Sequence, residues 1–208
     1  MNPRLLHKAM QIERQLYIDI LKSIAILFMV EVHTSAQLAP SNISHDSFLA
    51  LIVASIGGLA APLFVILSGW SMQNSLIHKK LEPPLKILFS YWLITRFSFL
   101  FICQLFVNII ANHVFNWYSP GILTLLALCT LISVPLSKIK IKTKFILFLL
   151  LCLTPFLNNN FFEMRGDWNF LITVNSPIEF IQRILFNGTY PLFPWAAFFI
   201  LGGILRES

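Results

Sequence analysis

Glu31 and His33 stand two residues apart inside a membrane-length apolar run, YIDILKSIAILFMVEVHTSAQLA, from Tyr17 to Ala39. A carboxylate and an imidazole at membrane depth cost free energy, which makes them candidates for function before packing. Counted from Tyr17 at ~1.5 Å of rise per residue, Glu31 lies about 21 Å and His33 about 24 Å along a helix. Both therefore approach the far side of a hydrocarbon core roughly 30 Å thick. An imidazole there changes charge near neutral pH and suits acid–base or nucleophilic work near the outer face. The two residues are about 200° apart around a helix and do not share a face, so Glu31 reads better as a partner for another helix. Arg96, inside a later apolar run, is the candidate partner, since a guanidinium at that depth is costly unless paired or near water.

The elements that must hold these groups are helices. The chain of 208 residues is 57% hydrophobic and only 12% charged, with a mean hydropathy of +0.75. Soluble domains carry about 25% charged residues, so an integral membrane protein in a lipid bilayer is expected. Five further apolar segments follow the first, near 48–72, 86–111, 121–136, 143–157 and 191–205. Continuous runs such as FILFLLLCL exclude the alternating strands of a barrel. The expected fold is an all-α polytopic transmembrane bundle of about six helices. Residues 1–16 read as a cytoplasmic lead-in and 17–208 as one transmembrane domain.

Orientation follows from the basic residues. With the N-terminus inside, twelve of the fifteen lysines and arginines fall in cytoplasmic segments, only Arg165 and Arg183 fall outside, and Arg96 is within a helix. That asymmetry fits the positive-inside rule and places both termini in the cytoplasm. The net charge of +6 is thus a topology signal, and no soluble domain is visible that could offer a nucleic-acid surface. The turn HKKLEPP (78–84) is internal, and its prolines end or restart a helix. The external stretch 158–190 exceeds ordinary connections and is expected to form a cap or short surface helices. Cys103, Cys129 and Cys152 lie in apolar segments without CxxC spacing, which indicates packing and neither a disulfide framework nor a metal site.

Three segments carry a resemblance. RQLYIDILKSIAILFMVEVH places Arg14, Asp19, Ala25, Met29 and His33 on the pattern R-x-x-x-I-D-x-x-R-G-x-A-I-x-x-M-x-x-x-H. GGLAAPLFVILSGWSM is similar to A-A-P-L-F-x-F-L-S-G-x-S, and YPLFPWAAFFILGGIL to F/Y-P-L-x-P-W-x-x-F-F-x-x-G. In this order, across positions 14 to 205, they resemble the catalytic domain of heparan-alpha-glucosaminide N-acetyltransferase and its bacterial relatives, a family of transmembrane acyltransferases. Lys22-Ser23 stands where that family usually has Arg-Gly, so a basic charge is kept where a glycine is lost. Many relatives continue through further helices, which reads this chain as a minimal or truncated domain.

The resemblance implies acetyl transfer from cytoplasmic acetyl-CoA to a hydroxyl or amine of an extracytoplasmic glycan-like acceptor, in a bacterial inner membrane. It makes His33 the first candidate for base or transient acyl carrier; a packing histidine is the plainer alternative. His45, on the loop where relatives can carry a catalytic histidine, is the second, against a solvated neighbour of Asp46. Asp19 and Lys22 would sit near the pantetheine or phosphates, or form an ordinary interfacial ion pair. Lys79 and Lys80 would grip the phosphates, although topology alone asks for basic residues there. Pro62, Ser68 and Gly69 permit close helix contact or cofactor passage, while Pro191, Pro194 and Trp195 form a first helical turn and an interfacial anchor. Two other readings stay open: a small transporter or channel-like protein with Glu31, His33 and Arg96 as relay, and a catalytically inactive membrane fragment. The sequence also leaves open association into a homo-oligomer.

Overall fold

The computed structural model of the protein describes residues 16–38, 47–77, 84–113, 115–157, 176–186 and 188–208. Among the described residues there are nine helices and no strand, in agreement with the all-α expectation. They fall into two compact units, Met1–Phe64 and Val65–Ser208.

The first unit holds α1 (Leu16–Gln37), α2 (Phe48–Gly58) and the start of α3 (Ala60–Ile77). Ser47 starts α2 by accepting a hydrogen bond from the Ala50 amide at 3.2 Å, which satisfies one of the orphan donors of a first turn. α2 meets α1 at Gly57. A Cβ there would lie 2.7 Å from Glu31 Oε2 and 2.8 Å from Val32 Cβ, so the missing side chain is what lets α1 bring its carboxylate against α2.

The second unit continues α3 and adds α4 (Pro84–Leu88), α5 (Tyr91–Ile110), α6 (Ile122–Ser137), α7 (Ile141–Leu157), α8 (Pro177–Leu185) and α9 (Leu192–Glu207). α3 runs on to Ile77 where the apolar pattern ends near 72, because the polar residues that follow find partners on α9. The single segment expected over 86–111 is two helices. Ser90 leaves the helical conformation and caps α5, accepting from the Leu93 amide at 3.4 Å. α8 supplies a short helix inside the long stretch 158–190, as expected there, capped by Ser176, which accepts from the Glu179 amide at 3.2 Å.

The described helices turn large apolar faces outward, while several polar side chains are buried beside an apolar core. α5 exposes Phe99, Phe106, Ile109 and Ile110, and α7 exposes Phe145, Ile146, Leu149, Leu150 and Leu153. Gln104, Asn108, Thr130, Ser133 and Ser137 are buried instead. Apolar faces of that extent are stable where the solvent is lipid. The buried hydroxyls are satisfied locally: Thr130 donates to the Leu126 carbonyl, Ser133 to Thr130 and Ser137 to Val134. Among the described residues, two stretches are long and apolar enough to cross a membrane, Phe48–Ile77 and Tyr91–Ile110. α6, α7 and α9 have 16, 17 and 16 residues, and α1 carries Asp19, Lys22 and Glu31 within its 22.

α3 and α9 cross at two glycines. A Cβ on Gly69 would collide with the Phe199 carbonyl oxygen of α9, and a Cβ on Gly202 would collide with the Ile66 carbonyl oxygen of α3. Backbones that touch this closely gain dispersion and Cα–H···O contacts, the main adhesives between helices when lipid removes the hydrophobic drive. Gly202→Ala should therefore destabilise the second unit by about 1–3 kcal/mol, the usual cost of overpacking. A denaturant titration in detergent that finds wild-type stability would show that the crossing is looser than described.

Candidate functional site

Beyond the glycine crossing, α3 and α9 run on in the same direction and present polar residues to each other. Gln73 Nε2 donates to Glu207 Oε1 at 2.5 Å, and Arg206 Nε donates to Asn74 Oδ1 at 2.7 Å. The Arg206 guanidinium also lies over the Trp70 ring, 5.4 Å from its centroid, a cation–π distance. α7 adds a third side. The basic stretch 138–144 alternates Lys with other residues, but α7 begins at Ile141, so Lys142 and Lys144 fall about 200° apart around it. Lys142 is exposed and Lys144 is 2% exposed. Lys144 Nζ pairs with Glu207 Oε1 at 2.9 Å.

Of these residues, Arg206 and Glu207 line an open cavity of about 580 Å³, together with Ile77, Ser137, Lys138 and Lys140. Three cations and one carboxylate make it a place for an anion, with Arg206 offering a planar fork and the lysines point charges. Lys144 and Gln73 line a second, smaller space of about 10 Å³, the size of one water, together with Gly69, Ser133, Phe199 and Gly203.

The candidates read from the sequence are placed as follows. Glu31 is half-buried, and its Oε2 has no hydrogen-bond partner among the described residues; His33 is exposed, as a 200° separation requires. Asp19 is half-buried and its backbone carbonyl accepts from Ser23 Oγ at 2.9 Å, while Lys22 is exposed. His45, Lys79 and Lys80 lie outside the described residues. Arg96 is half-buried; its Nη2 donates to Ser68 Oγ at 3.4 Å, and its Nε is buried without a partner among the described residues. Ser68 and Gly69 are thus both engaged, one with Arg96 and the other with α9, whereas Pro62 is half-buried within α3. Pro191 caps α9 and is buried, the Phe193–Pro194 bond is cis, and Trp195 packs edge-on against Tyr190 at 5.0 Å.

The sequence reading missed the cluster around Glu207. Lys138, Lys140, Lys144 and Arg206 entered only as topology signals, and Trp70, Gln73, Asn74 and Glu207 were not singled out. A usable signal existed: Gln73-Asn74 and Arg206-Glu207 each follow a small-residue motif at a similar distance, four and five residues beyond Gly69 and Gly202. At the other end of the second unit, Arg183 is buried on α8 with Nη2 unpartnered among the described residues. Burial pushes its guanidinium below the ordinary value, while Tyr118 and Glu179 act the other way.

The burial of Lys144 makes its partner indispensable. Glu207→Leu should cost about 3–5 kcal/mol by stranding the ammonium, whereas adding Lys144→Met to it should recover most of that loss. Unfolding titrations of the two singles and the double supply the cycle. Strict additivity would show that the pair is not coupled.

No curated protein and no solved structure gives a significant match to the chain. Residues 14–207 match the profile of the family described as heparan-alpha-glucosaminide N-acetyltransferase, catalytic. That match spans nearly the whole sequence and takes in the three motif segments, α1 to α9 and the polar cluster. The chain belongs to this family and is an acetyltransferase-type membrane enzyme.

Proposed function

We propose that the protein moves an acetyl group from cytoplasmic acetyl-CoA to a hydroxyl or amine of an extracytoplasmic, glycan-like acceptor. The observation that carries this reading is the open cavity bordered by Lys138, Lys140 and Arg206. It lies at the end of the second unit where the basic turn between α6 and α7 and the end of α9 meet. Under the positive-inside rule that end faces the cytoplasm, with about six crossing segments and both termini inside a bacterial inner membrane. A CoA thioester is too charged to cross lipid, so its phosphates need cations at that face.

At the outer face His33 is the base. As the acceptor oxygen or nitrogen attacks the thioester carbonyl, the imidazole takes its proton. The C–S bond then breaks, and the imidazolium returns the proton to the leaving thiolate, which restores the base and releases free CoA. Lys22, positioned by Asp19, and Lys79 and Lys80 add positive charge on the donor side. Glu31 and Arg96 act on structure: the first is accommodated by Gly57, and the second is held by Ser68. His45 is the alternative base.

Acetyl-CoA consumption by the purified protein, with amine or hydroxyl acceptors supplied, tests the reading. His33→Ala should lower kcat by about 10²–10⁴-fold if the imidazole is a general base. His45→Ala assayed in parallel transfers the role to the loop if the loss appears there alone. Unchanged turnover in both variants and in the double would overturn the histidine mechanism. Arg206→Gln should raise the KM for acetyl-CoA by about tenfold with a much smaller change in kcat, the expected loss of one charge-assisted contact. Orientation is tested separately in a cysteine-free protein carrying Lys140→Cys: an impermeant thiol reagent should reach it only from the cytoplasmic side.

A further inference from the structure

We propose that the Lys144–Glu207 ion pair is a gate between the open cavity and the smaller space, opened when a phosphate-bearing ligand replaces Glu207 on Lys144. The identity of that ligand as the acyl donor rests on the function proposed above; the gate itself rests on geometry. Glu207 lines the open cavity, whereas Lys144 and Gln73 line the smaller space. One oxygen of Glu207 takes both of them, Lys144 at 2.9 Å and Gln73 at 2.5 Å. A single carboxylate thus links the lining of one space to the lining of the other.

The buried ammonium is what makes the contact exchangeable. Lys144 is 2% exposed, and apart from its ion pair it has no hydrogen-bond partner among the described residues. An ammonium has three donors, so Lys144 can take another anionic oxygen as well as it takes Glu207. The charged groups around the pair are Lys138 and Lys140 on the turn and Arg206 on α9; α3 contributes the neutral Gln73 and Asn74. A diphosphate brings several anionic oxygens and meets all of these cations at once, where Glu207 brings one carboxylate. The space beyond is the size of one water and is bounded in part by Gly69, Ser133 and Gly203, small residues that put little bulk in the way of a linear chain once the pair parts. The gate thus selects a ligand with an anionic head and a thin tail.

The test uses the full chain in detergent with Cys103, Cys129 and Cys152 replaced, carrying Ser133→Cys as a reporter behind the gate. Reaction with a small, neutral, linear methanethiosulfonate should be slow alone and about tenfold faster with saturating inorganic pyrophosphate, if exchange shifts the gate by one charge-assisted contact. It should be fast without pyrophosphate in both Glu207→Gln and Lys144→Gln. Those two variants should move pyrophosphate affinity in opposite directions, tighter without the carboxylate and weaker without the ammonium. A simple change of field would not make both open. If Glu207→Gln fails to fold, Gln73→Ala keeps every charge, removes one of the two bonds to Glu207 and should also speed the reporter.

A reporter that ignores pyrophosphate, or variants that leave its rate unchanged, overturns the gate. Pyrophosphate-driven opening in a protein that neither binds acetyl-CoA nor transfers acetyl keeps the gate and overturns the proposed donor. Acetyl transfer with an unresponsive reporter does the reverse.

Discussion

The contact between backbones at Gly69 and Gly202 is the constraint on which the second unit depends. Lipid tails are as apolar as leucine, so two helices in a membrane gain little from burying side chains against each other. They gain from approach, and these two approach until each carbonyl occupies the place of the other's missing Cβ. One turn further on, that proximity is converted into chemistry. Gln73 and Asn74 reach Glu207 and Arg206 with single hydrogen bonds and no intervening layer of side chains. A larger separation would leave four polar groups facing a gap too narrow for bulk water. The motif glycine and the polar site are therefore one structural fact at two depths.

Polar groups within the two units follow one economy, and the departures from it are informative. Buried hydroxyls on α6 bond to their own helix, which is how serine and threonine usually enter a membrane helix. Arg96 Nε, Lys144 Nζ and Glu31 Oε2 are different: each is buried with hydrogen-bonding capacity left over among the described residues. Spare capacity in a low-dielectric interior is costly. In Lys144 it sits beside a cavity, which connects the cost to a ligand; in Glu31 it sits against Gly57 of the neighbouring helix, which connects it to packing.

The helical class and most helix positions were legible because both come from composition and continuous apolar runs, signals that tertiary context does not erase. Ends were less legible. The break at Phe89–Ser90 depends on one hydroxyl acting as a cap, and an apolar run carries no trace of it. The motif segments pointed to Ser68, Gly69 and the start of α9, and the structure gives each a contact. The Glu207 cluster was hidden for another reason. Lys144 belongs to a run of lysines whose presence topology already explains, and only the start of α7 at Ile141 decides which of them turns inward. That phase is set by a turn of a few residues, below what periodicity resolves.

The amide network between α5 and α6 bears on how the chain is made. Gln104 donates to Asn108, Asn108 donates to the Trp117 and Ser119 carbonyls, and the Leu123 amide returns to Gln104. Every one of these bonds is internal to a single hairpin, and Gly121 presents no side chain that would hold the Gln104 amide away. Two adjacent helices and their connection thus neutralise their own polarity before any other helix is present. During synthesis such a hairpin can leave the insertion machinery as a finished pair, needing no neighbour to shelter its amides. It gives α4 and α9, which both pack on α6, a preformed surface on which to assemble.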